Sequence, residues 1–168
     1  LWNSDLPNGE QLSSFKQKLS ANYQNDKFVK AYNLSSVRTD QFPSREAVIH
    51  FYQNFRTNLN HYPLELVLSW LDQDLNYIKS SGLNECGIET IKEDSKIELF
   101  DFVVIDGSEF TGNVELSLLM GAKIIALDDI NAFKNFQSYQ LLINHPEYKI
   151  IARDVNLRNG FAIFEKQA

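Results

Sequence analysis

The sequence predicts an α/β fold: a mainly parallel sheet with helices on both faces and a reversed last strand. Three observations predict it. Two continuous apolar runs, Phe102-Val103-Val104-Ile105 and Ile124-Ile125-Ala126-Leu127, have the character of strands buried on both faces. Each is followed by a segment with helical character, about 113–120 and about 133–144. The last two strand-like runs, Tyr148 to Arg153 and Phe161 to Phe164, are separated by a short stretch around Arg158-Asn159-Gly160. No helix fits between them, so they pair antiparallel.

The elements follow in chain order. Asn8-Gly9 reads as a turn, and Leu12, Phe15 and Leu19 share one face of a helix over Glu10 to Tyr23. Phe28 to Leu34 reads as a short strand that ends in the polar Asn33-Leu34-Ser35-Ser36. Ser44 can cap a helix carrying Val48, Phe51, Tyr52 and Phe55. Pro63 suits the opening of the next helix, since its missing N–H is not needed there. Leu64, Val67, Leu68, Leu71, Leu75 and Ile78 keep the helical period, and Gly82 stops it. A shorter helix spans Ile88 to Lys96. The stretch 38–82 is long and helical for a link between two sheet strands, so it is expected to be an inserted helical pair within a single domain.

Composition narrows the function. A chain of 168 residues can bury a core of its own. Its net charge of -6 disfavours nucleic acid as a partner, because affinity for phosphates rests on Lys and Arg. No apolar run is long enough to cross a bilayer. The only cysteine, Cys86, cannot form an internal disulfide, and a cytoplasmic location is expected.

The chemistry gathers where the buried strands end. Asp106 follows the first run, and Asp128 and Asp129 end the second. Ligands of open α/β sheets bind outside the carboxyl ends of the strands. Three carboxylates at one edge repel, and a hard divalent cation such as Mg2+ relieves that repulsion. Helix capping is the plainer role for the same aspartates. Gly107 allows close approach of backbone to a ligand, or simply a turn. Glu109 is a candidate general base, and Lys134 and Asn135 are within reach of a substrate; solvated roles compete with each. His50, His61 and His145 show no metal-ligand spacing. There is no phosphate-binding Gly-x-x-x-x-Gly-Lys, Gly-x-Ser-x-Gly elbow or Gly-x-Gly-x-x-Gly.

Phe100-Asp101-Phe102-Val103-Val104-Ile105-Asp106-Gly107-Ser108-Glu109-Phe110 resembles the fourth-strand motif of class I S-adenosylmethionine-dependent methyltransferases. Ala126-Leu127-Asp128-Asp129-Ile130 is similar to the fifth-strand motif of the same subgroup. The resemblance implies a Rossmann-like methyltransferase sheet. It implies that Asp106, Asp128 and Asp129 hold a divalent metal, as in catechol-type O-methyltransferases. It places Asn33, Ser35 and Ser36 near the adenine of S-adenosylmethionine, and Asp106 and Gly107 against the same cofactor. Glu109 stands where the subgroup motif has histidine. The family's first strand and its glycine-rich turn have no counterpart here, so the resemblance implies a partial domain lacking its amino-terminal part.

The expected function is methyl transfer to a hydroxyl of a small molecule or sugar, with the cation steering the hydroxyl and Glu109 or Lys134 taking its proton. Two alternatives stay open. Paired aspartates after a buried strand also occur in metal-dependent nucleotide-sugar transferases. A non-catalytic domain that self-associates through Pro63 to Ser80 is the other.

Overall fold

The computed structural model describes residue 30 and residues 32–167. The chain divides into two compact units, Leu1–Asn33 and Leu34–Ala168, and the elements below belong to the second. The expected turn at Asn8-Gly9 and helix at Glu10 to Tyr23 lie outside the described residues. Of the expected strand at Phe28 to Leu34, the described residues Lys30, Tyr32, Asn33 and Leu34 are not in strand.

Two helices come first. Helix α1, Arg45–Asn54, starts where the Ser44 hydroxyl oxygen accepts the Ala47 N–H at 3.2 Å. Helix α2, Leu64–Ser80, starts after Pro63, whose carbonyl accepts the N–H groups of Leu66 and Val67. It stops at Gly82, where φ is +67° and the Leu83 N–H reaches back to the Ile78 carbonyl. A 3₁₀ turn, Asn58–His61, joins the two. The apolar faces expected from the sequence are the buried ones: Val48 and Phe51 on α1, and Val67, Leu68, Leu71 and Ile78 on α2. All of these but Ile78 share a core with Phe110 and Phe133. Phe51 meets Phe133 edge-on, with ring centroids 4.8 Å apart. The helical pair is thereby fastened to the segments that follow the first two sheet strands.

Helix α3, Gly87–Ser95, leads to the sheet. Strand β1 is Phe102–Ile105, helix α4 Gly112–Leu119, strand β2 Ile124–Asp128 and helix α5 Phe133–Ile143. Strands β3, Tyr148–Asp154, and β4, Phe161–Lys166, complete it. The described residues thus form a mixed α/β unit with an open four-stranded sheet and five α-helices. Its order is β1-β2-β4-β3, with β1 and β2 parallel and β4 antiparallel to both its neighbours. The last strand is reversed, as expected, and it is wedged between β2 and β3.

The expectation of strands buried on both faces is corrected. Burial alternates along β1: Val103 and Ile105 are buried, while Phe102 and Val104 are 55% and 57% exposed. The cluster joining helix to sheet takes its helical side chains from Ile88, Leu116, Leu119, Tyr139 and Leu142, set against Val103, Ile105, Ile125, Leu127, Ala162 and Phe164. In the described residues, then, α3, α4 and α5 cover one face, and apolar residues on the other face stay open. A run such as Phe-Val-Val-Ile is apolar at every position and does not reveal which of its faces is covered. No helix among the described residues is long and apolar enough to cross a membrane.

Candidate functional site

Parallel register sets Ile105 opposite Leu127, so Asp106 and Asp128-Asp129 leave the sheet at one edge. Asp129 adopts φ +55°, a conformation aspartate tolerates better than most residues. Carboxylate oxygens of Asp106, Asp128 and Asp129 lie within 4.8 Å of one another. A cation already stands among them. The Lys134 Nζ, from the first turn of α5, donates to Asp106 Oδ1 at 3.0 Å and to Asp129 Oδ2 at 2.7 Å. The lysine side chain is only 8% exposed, against 17% for Asp129 and 58% for Asp106.

Burial alone would lower the Lys134 pKa, but its bonds to Asp129 and Asp106 outweigh that and raise it. Lys134 is therefore an ammonium ion at neutral pH. Asp128 is pushed up by burial and then by the charges of Asp129 and Asp106. The set of hard oxygen donors suits a divalent ion. Such an ion would have to compete with the ammonium that already bridges two of the three carboxylates.

Glu109 lies beside this cluster, over the start of α5, where its Oε1 accepts the Lys134 N–H at 3.4 Å. Burial raises its pKa to about 7, against the opposing pull of the Lys134 charge. Glu109 also lines a cleft of about 560 Å³, with Asn58, Tyr62, Trp70, Arg158 and Asn159 among the other walls. The reversed β4 explains how the last two arrive there. Its first residue, Phe161, pairs with Asp128, which brings the β3–β4 turn to the edge that carries the aspartates. That turn is pinned by the Ile130 N–H on the Gly160 carbonyl, 3.1 Å, and by the Asn131 N–H on the Asn159 carbonyl, 2.9 Å. Gly160 has φ +79°, and a Cβ there would lie 2.9 Å from Ile130 Cγ1, so both conformation and space call for glycine. The Asn58 amide donates to Asn159 Oδ1 at 2.8 Å and ties the helical pair to the turn.

The raised carboxyl of Glu109 makes stability depend on pH. The folded state holds the proton more tightly than the unfolded chain, so this contribution is fully present below about 4.5 and is lost as pH rises through about 7. Glutamine mimics the protonated form. Glu109→Gln should match the parent near pH 4.5 and exceed it by about 2 kcal/mol near pH 8, a value discounted for partial exposure. Urea unfolding at both pH values tests this; an equal offset at the two would show that the carboxyl does not titrate between them.

The other expected site residues are distributed as follows. The Ser36 hydroxyl donates to Glu115 Oε1 at 2.5 Å, and Thr111 Oγ1 donates to the same oxygen at 2.8 Å. Gly107 packs against that glutamate: a Cβ on it would lie 2.5 Å from Glu115 Oε1. Ser36 and Gly107 therefore meet, and the carboxylate between them is buried. The Ser35 hydroxyl donates to the Val37 carbonyl at 2.6 Å. Asn33 belongs to the other unit. Asn135 is fully buried, and its amide donates to the carbonyls of Ile105, 3.0 Å, and Asp128, 2.6 Å, clamping the ends of β1 and β2 together. That is a fastening role. Among the described groups that offer three or more ligand side chains, no histidine takes part.

Glu115 and Asp74 were not picked out from the sequence. Glu115 is a lone carboxylate in the apolar Val114-Glu115-Leu116, a signal that was available. Asp74, on α2, accepts a short hydrogen bond from the Ser108 hydroxyl, whose oxygen in turn accepts the Phe110 N–H. Burial raises the Asp74 pKa in spite of that bond. Nothing local marks this pair, since its members are 34 residues apart. No family model matches the chain, and no curated protein or solved structure matches it either.

Proposed function

We propose that this protein carries out S-adenosylmethionine-dependent methyl transfer to a hydroxyl group of a small molecule. The observation that carries the reading is the meeting of Asp106, Lys134 and Glu109 at the carboxyl edge of β1 and β2, beside a cleft large enough for a small acceptor. The two strand-end motifs and the reversed last strand support it, as the resemblance to class I methyltransferases implies.

S-adenosylmethionine supplies an electrophilic methyl group on sulfur. Of the residues assigned to it, Asp106 is the one whose charged group stands open at the strand edge, where a carboxylate suits the hydrogen-bond donors of such a cofactor. Glu109 is placed to take the hydroxyl proton as the oxygen–carbon bond forms, because it lines the cleft and its carboxyl titrates near neutral pH. Lys134 is not the base, since it is held as an ammonium; it neutralises Asp106 and Asp129 and keeps positive charge beside the developing alkoxide. A divalent cation enters this reading only by displacing the Lys134 ammonium, and no step requires one.

Calorimetric titration of S-adenosylmethionine into the full-length protein tests the proposal. Binding that Asp106→Ala weakens by about tenfold or more supports it. Absence of binding overturns it. A second reading, as an association domain, is favoured by the open apolar residues Phe102 and Val104 on β1. It predicts concentration-dependent self-association in place of cofactor binding.

A further inference from the structure

The cleft beside Glu109 holds a second charged group that the reaction above does not use. Arg158 is the only lysine or arginine among its lining residues. It forms no ion pair or hydrogen bond among the described residues, although Glu109, of opposite charge, lines the same cleft. Arg38 and Arg45 by contrast each meet a carboxylate, and Arg153 donates to the Tyr139 hydroxyl.

The backbone places Arg158 deliberately. Its φ is +55°, a conformation that arginine rarely adopts. Three described residues other than glycine have positive φ. Lys96 caps the end of α3. The other two, Asp129 and Arg158, stand at the aspartate cluster and in the cleft. Strain of this kind persists where the surrounding structure over-determines it, and here the hydrogen bonds of Asn159 and Gly160 to Asn131 and Ile130 do so.

The same cleft has an aromatic wall. Trp70 and Tyr62 meet edge-on with centroids 5.0 Å apart, and both line the cleft. Asn58 and Asn159 add amide groups to the rim.

On the reading of this cleft as the acceptor site, we propose that it takes a hydroxylated ring bearing a carboxylate, with the ring against Trp70 and Tyr62, the carboxylate on Arg158 and the hydroxyl toward Glu109. A guanidinium recognises a carboxylate through paired N–H donors, which also fixes the ring's orientation. A cleft lined by the unpaired guanidinium of Arg158 and by the carboxyl of Glu109 suits a ligand with an anion at one end and a hydrogen-bond donor at the other. The ring is either aromatic or a pyranose, as both offer an apolar face to an aromatic wall.

Calorimetry on the whole protein, without cofactor, tests this with two matched pairs of probes. One pair is para-hydroxybenzoate and para-hydroxybenzamide; the other is a methyl glucuronoside and a methyl glucoside. The acid of at least one pair should bind about tenfold more tightly than its neutral partner, and Arg158→Gln should remove that preference while leaving the neutral partner's binding in place. The pair that shows the preference identifies the ring. Equal binding within both pairs, or a preference that survives Arg158→Gln, overturns the inference. An Arg158-dependent preference in a protein that does not bind S-adenosylmethionine would keep this site and remove the methyl-transfer reading; the converse result would do the opposite.

Discussion

Gly112→Ala should lower stability by about 3 kcal/mol or more, a larger loss than most single substitutions produce. Gly112 opens α4 directly against the start of α5. A Cβ there would lie 2.0 Å from the Lys134 carbonyl oxygen and 2.5 Å from Asn135 Oδ1. The first of these is backbone and cannot rotate away. Asn135 Oδ1 is itself buried and has no hydrogen-bond partner among the described residues. The two helices would have to separate, which would pull Lys134 from Asp106 and Asp129 and Asn135 from the strand ends. Gly82→Ala is the comparison: its φ is +67°, a Cβ there would meet nothing within 4 Å, and the expected loss is about 1 kcal/mol. Urea unfolding of the two variants decides. Equal losses would mean that α4 and α5 do not depend on contact at Gly112.

Lys134→Met should remove about 2–3 kcal/mol at neutral pH, somewhat less than a fully buried ion pair because Asp106 is half exposed. The wild-type contribution has a clear pH window. The folded pKa of Lys134 lies above its ordinary 10.5, so its stabilisation is complete below that value and is lost only at still higher pH. In the variant, three carboxylates face one another with no cation among them. Its deficit should shrink as pH falls and they take up protons. Millimolar Mn2+ should raise the melting temperature of Lys134→Met and leave the parent almost unchanged, because the variant frees the oxygen donors. An equal response from both proteins would show that the ammonium does not hold the place of a cation.

Much of this unit is legible locally. The helices over Arg45–Asn54 and Leu64–Ser80 follow from Ser44, Pro63, the spacing of Val67, Leu68, Leu71 and Ile78, and Gly82. The positions of Asp106, Asp128 and Asp129 follow from two apolar runs that each stop at an acid. The antiparallel pairing of the last two strands follows from the short segment between them. These are features of period, capping and loop length, which are local properties of a chain.

Other features depend on residues distant in sequence. The open face of β1 could not be read, since Phe102 and Val104 look no different from Val103 and Ile105 until the helices are in place. The same holds for Asn135, which resembles a solvated residue of a first helical turn and proves to be a buried clamp. Lys134 was one of two candidate bases until the distances to Asp106 and Asp129 identified it as the cluster's cation.

By itself, then, the sequence determined the α/β class, the order of the elements from Ser44 onward, and the edge at which the acidic residues collect. The tertiary structure alone decided that β4 enters between β2 and β3. That insertion turns the Arg158–Gly160 segment toward Trp70 and Glu109 and so makes the cleft. The reason is physical: hydrophobic period and capping act over a few residues, whereas strand order and the pairing of buried charges are settled by which distant surfaces come together.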